Sequence, residues 1–134
     1  MLHLTELLAG RFRTAEAIAE LLLAQATIRI VPVRSWSVRF GLSDNAAGEP
    51  YSQILAYHVE RGVRWLPFTN GCLPRALALA RMLKRRRIAH CLVIAAQPRS
   101  PWHNRRALHA WIEVNGTVVL GDLPGPWIPV LRLP

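Results

Sequence analysis

HAWIEVNGTVVLGD, residues 109–122, decides how the C-terminal half of this chain folds. Asn115-Gly116 stands between two apolar, β-branched runs, and both central positions of a type I′ hairpin turn need φ > 0, which Asn and Gly tolerate. Folding the chain there with a two-residue loop pairs Val114 with Thr117, Glu113 with Val118 and Trp111 with Leu120. His109 then falls opposite Asp122. Sites alternate along an antiparallel ladder, and this count makes His109/Asp122 a non-hydrogen-bonded pair, with Cβ atoms about 4.5–5.5 Å apart. A carboxylate at that distance takes the imidazole Nδ1–H, fixes the tautomer and leaves Nε2 as a base. Glu113 is the other acid after His109. It lies four residues along the same strand, about 13 Å away at ~3.4 Å per residue, and cannot reach the ring.

A base held by an acid calls for a nucleophile, and Cys72 is the candidate. It stands in NGCLPRALALARMLKRRR, residues 70–87, where a glycine-containing loop runs into a helical pattern. Leu73, Ala76, Leu77, Ala80 and Leu83 or Met82 recur at three- and four-residue spacing, the pattern of a buried helix face. Pro74 fits only the first turn, where no intrahelical N–H is lost. Cys72 therefore opens the helix, where unpaired N–H groups and the positive end of the macrodipole stabilise a thiolate. The same N–H groups can hold an oxyanion after attack on a carbonyl. The Cys72 N–H is one donor; for a second, Trp36, Gln53 and Asn70 are candidates.

The remaining sequence frames this site. At 134 residues, 51% of them hydrophobic, the chain is long enough to bury a core as one domain. Residues 2–25 predict one or two helices with a break near Gly10 to Arg13, Thr14 capping the second. Residues 28–40 alternate like extended chain, 41–50 predict a loop and 51–65 a helix. The Cys72 helix should end near Arg87, a buried strand follow over 90–96, and a Pro-containing loop occupy 97–106. The hairpin comes next, and a Gly/Pro-rich tail closes the chain. Helices first and then three strands predict an α+β fold: N-terminal helices and a central helix with Cys72 at its N-terminus, packed on a small antiparallel sheet. Residues 1–50 form a helical and extended first part, and 51–134 the catalytic core.

Other functional classes are weaker on the same residues. The formal charge is +9, from 17 Lys and Arg against 8 Asp and Glu, which steers acidic partners. A small basic nucleic-acid-binding protein is one alternative, and a non-catalytic peptide-binding module on the same scaffold is another. The densest basic run, Lys84 to Arg87, ends a helix, where cations complement the dipole. No phosphate loop or nucleic-acid signature accompanies it. A metal site from Cys72, Cys91, His103 and His109 lacks CxxC or short HxxxH spacing. Cys91 lies in the apolar run CLVIAA and suits core packing, His103 is a competing base in a loop, and His3 and His58 suit surface or helix packing. The best apolar stretch, Leu21 to Val31, is broken by Gln25 and Arg29, so no membrane span is expected. No secretory signal pattern opens the chain, which points to the cytoplasm; there a Cys72–Cys91 disulfide is not expected.

In combination, CLPRALALARMLKRR, an apolar strand, HAWIEVNG and a terminal Asp resemble the lasso-peptide leader peptidases, proteins similar to transglutaminase-like and papain-like cysteine proteases. The likeness is good over residues 50–122 and loose before that. It implies a stand-alone protease that removes the leader from a ribosomally made precursor peptide. It implies Cys72 as nucleophile, His109 as base and Asp122 as orienting acid, with no cofactor and no metal. A separate leader-recognition protein and an ATP-dependent macrocyclase are the implied partners. Two features depart from the family pattern. Arg87-Ile88 stands where a glycine usually separates the Cys-bearing helix from the next strand, so the helix has to end without its αL glycine. The loop over 97–106 is unusually basic.

Overall fold

A computed structural model describes residues 2–30, 48–67, 71–96, 108–121 and 127–133. Helix α1 spans Leu2–Ile30, α2 Gly48–Trp65 and α3 Cys72–Arg85; strands β1 (Cys91–Ala96), β2 (Leu108–Val114), β3 (Thr117–Leu120) and β4 (Ile128–Leu133) follow. The strands form one antiparallel sheet in the order β3-β2-β1-β4. This is the expected α+β arrangement, three helices on a small antiparallel sheet.

The helices pack through small residues. Ala17, Leu21 and Ala24 of α1 are fully buried against α2 and α3. A Cβ on Gly62 of α2 would lie 3.3 Å from Ile18, 3.4 Å from Leu21 and 3.5 Å from Ala17, so a glycine there lets α1 and α2 approach closely. The core continues through Leu55 and Val59 of α2 and Leu79, Met82 and Leu83 of α3. It then reaches the inner face of the sheet, formed by Leu92, Ala110, Ile112, Val114 and Leu120. Alternation along β2 leaves His109, Trp111 and Glu113 half-buried between the core positions.

Helix α1 is one continuous helix of 29 residues, without the expected break at Gly10 to Arg13. Thr14 is not a cap. Its hydroxyl donates back to the Gly10 carbonyl at 3.1 Å, so at 3.0 Å from His58 Nδ1 it serves as acceptor for the ring N–H. A glycine and a threonine that weaken an isolated helix are thus carried by packing against α2. Ile28 to Ile30 also belong to α1 rather than to extended chain, and residues 31–47 lie outside the described residues.

The end of α3 accounts for the missing glycine. Arg87 takes φ +58°, the Ile88 N–H bonds the Leu83 carbonyl at 3.0 Å, and the Arg87 N–H bonds that of Lys84 at 3.0 Å. This is a Schellman closure with arginine in the left-handed position, and Ile88 packs on the core as its hydrophobic contact. The basic run before it is more than a solvated end. Arg86 bonds Glu16 of α1 at 2.7 Å, Arg85 pairs with Glu16 and Glu20, and Arg81 reaches Glu20 at 2.8 Å. Glu20 is only 4% exposed, so the cluster fastens α1 to α3 from inside.

Two features of the sheet differ from expectation. A fourth strand, β4, replaces the irregular tail and pairs with β1 on the side away from β2. Pro129 sits opposite Ala95 at a register shift of that edge strand, where no ladder N–H is required of it. The hairpin turn itself is as read, with Asn115 at φ +53° and Gly116 at φ +78°. However, the β2–β3 register shifts after Glu113↔Val118, so that Ile112 faces Leu120. One extra residue on β3 forms a bulge. The expected Trp111–Leu120 pairing therefore does not hold; Asp122, the expected partner of His109, lies outside the described residues.

Candidate active site

Cys72 is the first residue of α3, as its sequence context requires. Gly71 precedes it in an extended conformation (φ −76°, ψ −173°). Pro74 occupies the first turn, and among the described residues no side chain caps the helix, so the Cys72 and Leu73 N–H groups stand at its positive end. Cys72 is free and half-buried. It lines a cavity of about 260 Å³ together with Glu60, Gly71, Arg75, His109, Leu120 and Gly121. Cys72 and His109, expected to cooperate and 37 residues apart in the chain, thus line one cavity.

His109 is gripped from several sides. Its Nε2 lies 2.5 Å from the Gly121 carbonyl oxygen. A carbonyl only accepts, so Nε2 carries the proton and the lone pair lies on Nδ1. This reverses the expected roles of the two nitrogens. The cause is the bulge: it brings Gly121, at φ +88°, against β2, where its carbonyl meets the ring. A Cβ on Gly121 would lie 2.9 Å from the Ala110 carbonyl and 3.1 Å from Trp111 Cβ, so only glycine fits. Two indoles complete the setting, Trp127 with its centroid 5.3 Å from that of His109 and Trp111 at 6.0 Å. Trp111 is itself anchored: its Nε1–H donates to Glu113 at 2.9 Å, and Glu113 pairs with Arg132 of β4 at 3.1 Å.

Asp122, His103, Trp36 and Asn70 lie outside the described residues. Gln53, a candidate oxyanion donor, is exposed on α2 and does not line the cavity. Cys91 forms no disulfide and is half-buried at the start of β1, not in the core. His58 and His90 are both buried. Burial, followed by the charges of Arg13 and Arg61, holds His58 below the ordinary histidine range. Burial does the same for His90, only partly offset by its Nδ1–H bond to the Ile88 carbonyl at 2.8 Å.

Sequence reading missed the ion pair on the cavity wall. Arg75 Nη1 bonds Glu60 Oε2 at 2.8 Å, joining α3 to α2 beside Cys72. The one signal was Arg75, a turn after Cys72 on the same helix face.

A helix opened by a cysteine, packed on an antiparallel sheet whose second strand carries a histidine lining the same cavity, defines the class of fold. The family model of the transglutaminase-like superfamily matches residues 14–128, and the chain belongs to that superfamily, which includes cysteine peptidases. No curated protein and no solved structure matches the chain. Among the described residues no helix is long and apolar enough to cross a membrane.

Proposed function

We propose that this protein is a cytoplasmic cysteine peptidase that removes the leader from a lasso-peptide precursor, acting with a separate leader-recognition protein and ahead of an ATP-dependent macrocyclase. The observation that carries the reading is the shared cavity of Cys72 and His109. The Cys72 thiolate attacks the carbonyl at the leader–core junction, forming an S–C bond. The oxyanion is held by the uncapped Cys72 N–H, with the Leu73 N–H as second donor. His109 gives the proton taken from the thiol to the departing amine, and the C–N bond breaks. It then deprotonates the water that hydrolyses the thioester. Because the Nε2–H is held by Gly121, Nδ1 is the nitrogen that exchanges protons. Asp122 follows Gly121 directly in the chain and is the acid nearest in sequence to that contact; we assign its charge to stabilise the imidazolium.

The nucleic-acid-binding alternative loses its main feature, because Arg85 and Arg86 of the basic run are occupied by Glu16 and Glu20. The test is leader cleavage, followed by mass spectrometry, with a lasso-peptide precursor and a leader-binding protein added. Cys72→Ala should abolish cleavage with the fold intact. Asp122→Asn should slow it about 10²–10⁴-fold through loss of the charge that stabilises the imidazolium. Full activity of Cys72→Ala ends the proposal, and a wild-type rate for Asp122→Asn removes the acid from the mechanism.

A further inference from the structure

The proposed hydrolysis uses one side of the cavity and leaves Glu60 and Arg75 without a task. Both line the same space as Cys72 and His109, and their side chains are about one-third exposed, at 39% and 33%. Their contact is a single bond, Arg75 Nη1 to Glu60 Oε2 at 2.8 Å. An arginine–carboxylate pair often closes with two. Glu60 Oε1 therefore accepts no hydrogen bond from any described residue, while Oε2 fixes the carboxylate in place. The cavity wall beside Cys72 thus presents an anchored carboxylate with one oxygen unengaged by the described residues.

Resting on the peptidase reading, we propose that Glu60, positioned by Arg75, is a specificity residue. It reads the substrate side chain that enters this cavity next to the scissile bond, selecting one that bears a hydrogen-bond donor and rejecting a carboxylate. The physical basis is asymmetric. A donor gains a charge-assisted bond to Oε1, whereas a carboxylate meets a like charge and leaves two acceptors facing each other. An amide and a carboxylate have the same shape, so shape plays no part in the comparison.

Matched peptides carrying Gln or Glu at each position flanking the cleavage site provide the first test. The wild-type chain should favour Gln by at least about tenfold in kcat/KM at one position. In Glu60→Gln, whose amide both donates and accepts, the preference should fall to within about twofold. The second test needs no peptidase activity. Iodoacetamide and iodoacetate are an amide and a carboxylate of matched shape, and their alkylation rates at Cys72 are measured in a Cys91→Ser background. Glu60→Gln should raise the iodoacetate-to-iodoacetamide rate ratio about fivefold, the size expected for removing one charge several ångströms away. Because both variants otherwise carry the same charges, the basic field of the protein cancels in this comparison. Unchanged ratios in both assays, with Glu60→Gln folded by circular dichroism, overturn the proposal. If the wild-type chain cleaves no peptide, the peptidase reading falls and the alkylation ratio alone decides whether Glu60 selects charge in the cavity.

Discussion

Replacing Gly121 with alanine tests the register on which the site depends. The glycine stands at φ +88°, and a Cβ there would lie 2.9 Å from the Ala110 carbonyl oxygen and 3.2 Å from Trp111 Cα. Two terms add. A non-glycine residue at positive φ costs about 1–2 kcal/mol. The crowding is against backbone, which cannot swing aside as a side-chain tip can, and relief by displacement costs a further ~1–3 kcal/mol. Gly116 separates the two, because it has φ +78° with nothing within 4 Å of its Cβ position. Gly116→Ala should therefore show the first term alone, and Gly121→Ala both. Urea denaturation of the two variants measures the difference, expected at ~1–3 kcal/mol. At roughly 3–5 °C per kcal/mol for a domain of this size, Gly121→Ala should melt about 10 °C below the wild type. The displaced carbonyl also releases Nε2 of His109, so leader cleavage should fall more in Gly121→Ala than in Gly116→Ala. If the two variants are equally stable within about 0.5 kcal/mol, the bulge that presses Gly121 on β2 is wrong, and the reversed roles of the imidazole nitrogens fall with it.

Three further outcomes are expected. Arg87→Gly should stabilise the chain by about 1 kcal/mol, because the Schellman position at φ +58° then holds a residue suited to it; a destabilised variant in a thermal melt would place the helix end elsewhere. Glu20→Ala should cost ~1–3 kcal/mol in chemical denaturation, since it removes a buried partner of Arg81 and Arg85; a loss below about 0.3 kcal/mol would show that α1 is held by apolar packing alone. Stability should fall as pH drops below about 6.5, because His58 and His90 are held below that value when folded and the unfolded chain takes up the protons first. Unfolding measured at pH 7.5 and 5.5 checks the sign, and the double variant His58→Gln, His90→Gln should flatten the slope.

What was legible in the sequence was local, and what was hidden depended on tertiary contact. Asn115-Gly116 specifies its turn by dihedral preference alone, and Pro74 with the spacing of Leu73, Ala76 and Leu77 marks the start of α3 and so the place of Cys72. The break expected at Gly10 did not occur because propensity is a small energy, and the contact of Thr14 with His58, with the burial of Ala17 and Leu21, outweighs it. Strand β4 was obscured by prolines, yet an edge strand tolerates Pro129, and its pairing with β1 depends on a partner more than thirty residues away.

The bulge is the most consequential of these differences. Turn chemistry defines the first two pairs of a hairpin, but nothing local at Val119 announces an extra residue, and one insertion moves every later partner. Counting outward from the turn places Leu120 opposite Trp111, whereas the bulge sets it opposite Ile112. His109 is positioned by more than a cross-strand neighbour. The Gly121 carbonyl, the Trp127 ring and the Trp111–Glu113–Arg132 chain converge on it from β3, from the start of β4 and from β2 itself. A ring held by several elements keeps its place when one register changes by a residue. The same reasoning explains why Glu60 escaped notice: a carboxylate on α2 acquires meaning only when α3 brings Arg75 and Cys72 alongside it.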